Sequence, residues 1–183
     1  QRVSMYLREF LTPNNDNHRV VILDSEDQGA AFEKYIKDSG YWKRVRYYVG
    51  SPIADLDLHR VHLAEASAAF IWSDTSSASP EQADRMTVLT CLAVKSHSYW
   101  LKVYVEVILP ETKARVGEVG PNMFVMSYQE IKNGALSRAR EVDGLLAFCS
   151  VLLTTFGPPS QTPMDSNFTA HLDQTYRAPM LGV

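Results

Sequence analysis

The chain has 183 residues, the length of one domain with a tail or of one and a half small ones. Hydrophobic residues make up 45% and charged residues 21%, which excludes a disordered or fibrous chain. Lys+Arg 18 against Asp+Glu 21 gives a net charge of -3, so no net basic field exists to hold a nucleic acid. The longest nearly unbroken apolar run, residues 145–153, is about half of what a bilayer crossing needs. Cys91 and Cys149 both sit in apolar stretches, with no zinc or disulfide spacing, and fit a reducing cytosolic setting. The chain opens Gln1-Arg2-Val3 without an initiator Met or an apolar leader, and reads as a piece of a longer polypeptide.

Val3, Leu7, Phe10 and Leu11 recur at helical spacing, and Pro13 with the Asn14-Asn15-Asp16-Asn17 run ends that helix. Residues 18–23 read as a strand buried on both faces, because Val20-Val21-Ile22-Leu23 is apolar without a break. Ser25 is the expected N-cap of a helix over 26–38, with Phe32, Tyr35 and Ile36 on one face and Gly40 just past its end. A strand over 45–49, a helix over 53–65 and a strand over 68–72 follow.

After a Ser/Thr-rich loop, Pro80 opens a longer helix whose Met86, Leu89, Leu92 and Ala93 are the expected core face. A strand over 103–109, a helix over 110–119 and a strand over 123–126 come next. Residues 129–155 then hold two helices, broken at Asp143-Gly144. Gly157-Pro158-Pro159-Ser160 begins a linker-like tail.

Strands alternating with helices in this way require parallel, right-handed crossovers. The fold class is therefore α/β, a Rossmann-like doubly wound, mostly parallel sheet of five visible strands, followed by a crossover helix pair. The division expected is 1–128 for the Rossmann-like unit, 129–156 for the helix pair, either a cap on the core or an arm docking elsewhere, and 157–183 for a linker or the start of a further subdomain.

Chemistry-bearing signals are sparse. No Gly-x-Gly-x-x-Gly turn follows the first strand, and Gly117-Glu118-Val119-Gly120 suits a helix end better than a phosphate. Asp24 stands where a ribose-binding acid would, although a strand-end turn or cap explains it as well. His59, His62 and Glu65 lie at i, i+3, i+6 of one expected helix, without the order of a zinc-binding helix. No nucleophile elbow is present. Oxygen-bearing Asn14 to Asn17 and Glu130 could serve a hard cation, or a turn and a helix dipole. Lys43, Arg44 and Arg46 read as a solvated strand entry.

Several segments resemble one family: Arg44-Val45-Arg46-Tyr47-Tyr48-Val49-Gly50-Ser51, then Asp55-Leu56 and Arg60-Val61, then Ala69-Phe70-Ile71-Trp72. The polar loop into Gln82-Ala83-Asp84-Arg85-Met86, and Val107-Ile108-Leu109-Pro110-Glu111-Thr112-Lys113, continue the likeness. Together they resemble the first RCK domain (regulator of potassium conductance) of Slo-type potassium channels, calcium-activated and sodium-activated, over about residues 3–156.

The resemblance implies a non-enzymatic domain of a cytosolic gating ring, on the cytoplasmic face of a membrane channel. Four subunits form the ring, each adding a second RCK domain and a share of the transmembrane pore. It also implies a first strand lying upstream of Gln1. For calcium (Ca2+) it points to Glu130 in Glu130-Ile131-Lys132-Asn133-Gly134, with Asn14, Asp16 and Glu9 as further ligands. Asn14 stands where the family has an acid, which weakens the set. Arg19 and Arg46 occupy the family's magnesium positions, and two cations cannot hold a third. The resemblance places Met86 and Leu89 at an oligomer interface, and Leu145, Leu146, Phe148 and Leu152 on an arm reaching a partner. Core packing within the domain is the alternative for each. Two rivals remain: a nucleotide-binding Rossmann enzyme fragment, and a microbial potassium-transporter RCK subunit binding nucleotide through Asp24.

Overall fold

The computed structural model describes residues 2–11, 18–74, 77 and 79–153. The expected ligands Asn14 and Asp16, and the tail from 157, lie outside them. Helices α1 (Arg2–Phe10), α2 (Gly29–Asp38), α3 (Asp55–Arg60), α4 (Pro80–His97) and α5 (Pro110–Gly117) interleave with strands β1 (Val20–Asp24), β2 (Val45–Val49), β3 (Ala68–Ile71), β4 (Lys102–Val107) and β5 (Met123–Ser127). Helices α6 (Tyr128–Ala139) and α7 (Leu145–Leu153) follow, with Gly144 at φ +80° in the break between them.

Among the described residues the three strand pairings are all parallel, as the helical crossovers require. They form two sheets, β1-β2 and β3-β4-β5, rather than the single sheet expected. Among the described residues β1 and β3 exchange no ladder hydrogen bonds, so each is an edge. Val21 is 46% exposed on a face that nothing among the described residues covers fully, and the expectation of a first strand covered on both faces does not hold.

Each sheet has its own core. Leu7 and Leu11 of the α1 end pack with Ile36 and Val45 under the two-stranded sheet. Val103, Val105 and Val107 alternate inward along β4 and meet Leu58, Ile71, Cys91, Val94 and Val116. Helix α1 bridges both: Leu7 is in the first core, while the Tyr6 ring lies 5.4 Å from Phe70 and 5.0 Å from Trp72 beside the second sheet. The outer face of that sheet carries a stacked aromatic row, Phe70, Tyr104 and Phe124, at 4.9 Å per step in the strand register.

Local chemistry moves two element boundaries and turns one helix. Helix α2 starts at Gly29 and not after Ser25, because the carboxylates of Asp24 and Asp27 accept the Glu26 and Gly29 N–H groups and hold a turn there. The helix expected over 53–65 stops at Arg60, and a single 3₁₀ turn, Leu63–Glu65, follows His62 in the left-handed region at φ 55°. Helix α4 runs from its Ser79 N-cap for 18 residues, but turned from the expected face. Met86, Leu89 and Leu92 are about half exposed, and Ala83, Asp84, Thr87, Thr90, Cys91, Val94 and Lys95 are buried.

Candidate functional site

The carboxyl ends of β3, β4 and β5 meet around Asp84, where doubly wound folds present ligands and moving parts. Its carboxylate is 2% exposed. It accepts the Ser73 hydroxyl at 3.1 Å, the Ile108 N–H at 2.8 Å and the Leu109 N–H at 2.9 Å. These bonds tie α4 to the loop after β3 and to the chain entering α5. The Ile108 carbonyl in turn accepts the Ser127 hydroxyl at 3.3 Å and the Gln129 N–H at 3.4 Å. Ser127 caps α6 by accepting the Glu130 N–H at 3.3 Å. One residue, Ile108, thus faces α4 through its N–H and α6 through its carbonyl.

Glu130 stands in the first turn of α6, where its charge complements the helix dipole. Its Oε2 lies 2.7 Å from the Lys113 Nζ of α5, with both side chains about half exposed. A cleft of about 430 Å³ opens beside the Asp84 and Ser127 bonds, lined by Ser77, Pro80, Ile108, Tyr128, Gln129, Lys132 and Asn133.

Among the described residues, no three His, Cys, Asp or Glu side chains gather into a group that could hold a metal. Calcium takes 6–8 oxygens; here Glu130 faces an ammonium, and Glu9 is exposed on α1. The described residues alone therefore do not make a calcium site. His59, His62 and Glu65 do not share one helix: His62 pairs with Glu65 at 3.4 Å, and His59 turns towards His97, which bonds Asp55 at 2.9 Å. Asp24 is taken up by its own turn, accepting from Glu26 N–H and Gln28 Nε2.

Residues on the expected interfaces are open. Met86 is 50% and Leu89 47% exposed on α4; on α7 Leu146 and Phe148 are exposed and Leu145 is half-buried. The side chain of Leu152 lies outside the described set. Sequence reasoning did not single out Ser73, Asp84 and Ser127 as a network. The signal available was an acid at position 84, in step with Thr87, Cys91 and Val94 on one helix face.

Three residues that carried the family likeness, Val49, Ser51 and Arg60, meet around Asp57 in a second knot. The Asp57 carboxylate accepts the Ser51 N–H at 2.8 Å and pairs with Arg60 at 3.0 Å, and Arg60 donates to the Val49 carbonyl at 2.6 Å. A Cβ on Gly50 would stand 2.7 Å from both Asp57 and Arg60. That segment is constrained by packing, which accounts for its glycine.

Comparison with known proteins agrees with this architecture. The family model "Calcium-activated potassium channel slowpoke-like RCK domain" matches residues 1–133. Potassium channel subfamily T member 1 of Mus musculus is 30% identical over 112 residues, covering 61% of this chain and 9% of the relative. Calcium-activated potassium channel slo-1 of Caenorhabditis elegans is 27% identical over 120 residues, covering 61% of this chain and 10% of its own length. The chain thus spans about a tenth of these relatives. The solved human SLO3 gating ring superposes with a TM-score of 0.64 over 86% of this chain and 28% of its own, at 19% identity, a likeness of fold. The chain belongs to the slowpoke-like RCK domain family of potassium channels.

Proposed function

We propose that this chain is an RCK domain in the cytoplasmic gating ring of a tetrameric potassium channel, a non-catalytic module that converts cation binding into a pull on the pore. The observation that carries the reading is the family match, which runs unbroken through both sheets and ends at Asn133, inside α6, so that it includes Glu130. The relatives divide by name into calcium-activated channels and subfamily T members, and calcium is the ion proposed. Glu130 is the ligand proposed first, with Asn14, Asp16 and Glu9 completing the set. Binding there would draw Glu130 away from Lys113. The Ser127 and Ile108 bonds would pass that change to Asp84 and so to α4, whose open Met86 and Leu89 are the proposed contact with a neighbouring subunit. The arm α6–α7 offers Leu145, Leu146 and Phe148, and by its sequence Leu152, to a partner domain.

The two sheets also support the proposal that a further strand, from residues preceding this chain in the parent polypeptide, lies between β1 and β3. The functional test is titration of the complete polypeptide with calcium and, separately, sodium, beside Glu130→Ala. Calcium-dependent channel opening that weakens at least tenfold in the variant supports the reading. Opening driven by sodium alone, unchanged in Glu130→Ala, removes both the ion and the ligand assigned.

A further inference from the structure

Among the described residues Lys95 is the one buried lysine, at 4% exposure, and none of their carboxylates pairs with it. Burial pushes its pKa below the ordinary lysine value, since the charge is taken out of water; the Cys91 thiol one turn earlier acts weakly the other way. The charge is held instead by backbone. Lys95 Nζ donates to the carbonyls of Tyr99 at 3.1 Å and Leu101 at 2.6 Å, and to that of Pro121. An ammonium has three N–H donors and no acceptor, and here three carbonyls meet it. A hard metal ion would need about twice as many oxygens.

The three carbonyls belong to two turns at the amino-terminal ends of β4 and β5, joined to each other by Asn122. Its carbonyl accepts the Val103 N–H at 3.0 Å, and its Nδ2 donates to the Trp100 carbonyl at 3.0 Å. The stem of Lys95 runs beneath Gly120, where a Cβ would lie 3.4 Å from Cδ. The ammonium also sits at the carboxyl end of α4, the favourable end for a positive charge.

We propose that the carbonyls of Tyr99, Leu101 and Pro121 are a binding seat for a primary ammonium ion, and that Lys95 is its tethered occupant. The seat fixes where β4 and β5 begin. It stands independently of the cation-sensing reading, at the opposite end of the strands from Asp84 and Glu130.

The experiment is hydrogen exchange across residues 98–103 and 119–123 in the complete polypeptide, for wild type, Lys95→Ala and Lys95→Met. Lys95→Ala removes the three stem carbons and the nitrogen that n-propylammonium would restore. Its exchange at both turns is expected to rise about tenfold or more, as for buried acceptors left unpaired. The expected result is recovery with n-propylammonium, and not with tetramethylammonium or sodium at equal ionic strength. Lys95→Met, whose stem leaves no room for the amine, is expected to exchange as fast and not to recover. Recovery with all three salts, recovery with none, or wild-type protection in Lys95→Met would each overturn the seat.

Discussion

Asp84 and Lys113 show how single charges set the behaviour of neighbouring groups. Asp84→Ala leaves the Ile108 and Leu109 N–H groups and the Ser73 hydroxyl without their acceptor. A loss of about 3 kcal/mol is expected in denaturant unfolding, with Asp84→Asn costing less because one oxygen remains. On the calcium role proposed for Glu130, Lys113→Met removes the partner that the carboxylate would release. Because the pair is half exposed it is worth less than about 1 kcal/mol, so calcium affinity is expected to rise only a few-fold in titration; a fall would contradict the role of Glu130. The buried Cys91 thiol is pushed up to about 12, chiefly by burial. Since the folded state then holds its proton more tightly than the unfolded chain, the resulting stability is present below about pH 9 and is lost as pH rises towards 12. Alkylation near pH 8 is expected to label the half-buried Cys149 and spare Cys91, as a mass-spectrometric digest would show. The Asp84 acid was visible in the sequence, but its partners lie 11 to 25 residues away, and no local pattern pairs them.

At the scale of elements, α4 is the instructive case. Counting large apolar side chains assigned Met86, Leu89 and Leu92 to the core, whereas the structure buries the smaller and polar stripe Ala83, Thr87, Thr90, Cys91 and Val94. Small residues let the helix approach the sheet closely, and both threonines return their hydroxyls to carbonyls of the preceding turn. The larger side chains are left facing outward, as a contact surface would have them. Met86→Ser with Leu89→Ser is therefore expected to change unfolding stability by less than about 0.5 kcal/mol while lowering self-association of the complete polypeptide in sedimentation. Equal loss of both would return those residues to the core. The break at His62 has a different origin: the apolar spacing of residues 53–65 suits a helix, but a left-handed residue stops it.

For the whole molecule, the division into two sheets bridged by α1 leaves the edges of β1 and β3 unsatisfied by each other. If the proposed strand lies there, the amides of β1 and β3 that point away from β2 and β4 are expected to be strongly protected in the complete polypeptide and to exchange fast in the 183-residue chain alone. Equal exchange in the two would remove it. The sequence by itself determined the α/β class, the order of five strands and seven helices, and the parallel pairing. These follow from apolar runs separated by amphipathic segments, and the physical chemistry behind them is local. It also determined the family, through short segments such as Val49-Gly50-Ser51 whose tight packing requires their residues. Only the tertiary structure decided which face of α4 is buried, that β1 and β3 do not pair, that Glu130 meets Lys113, and that Asp84 and Lys95 are held by backbone. Each of those depends on groups brought together from distant parts of the chain, where burial and hydrogen-bond geometry act and sequence spacing carries no information.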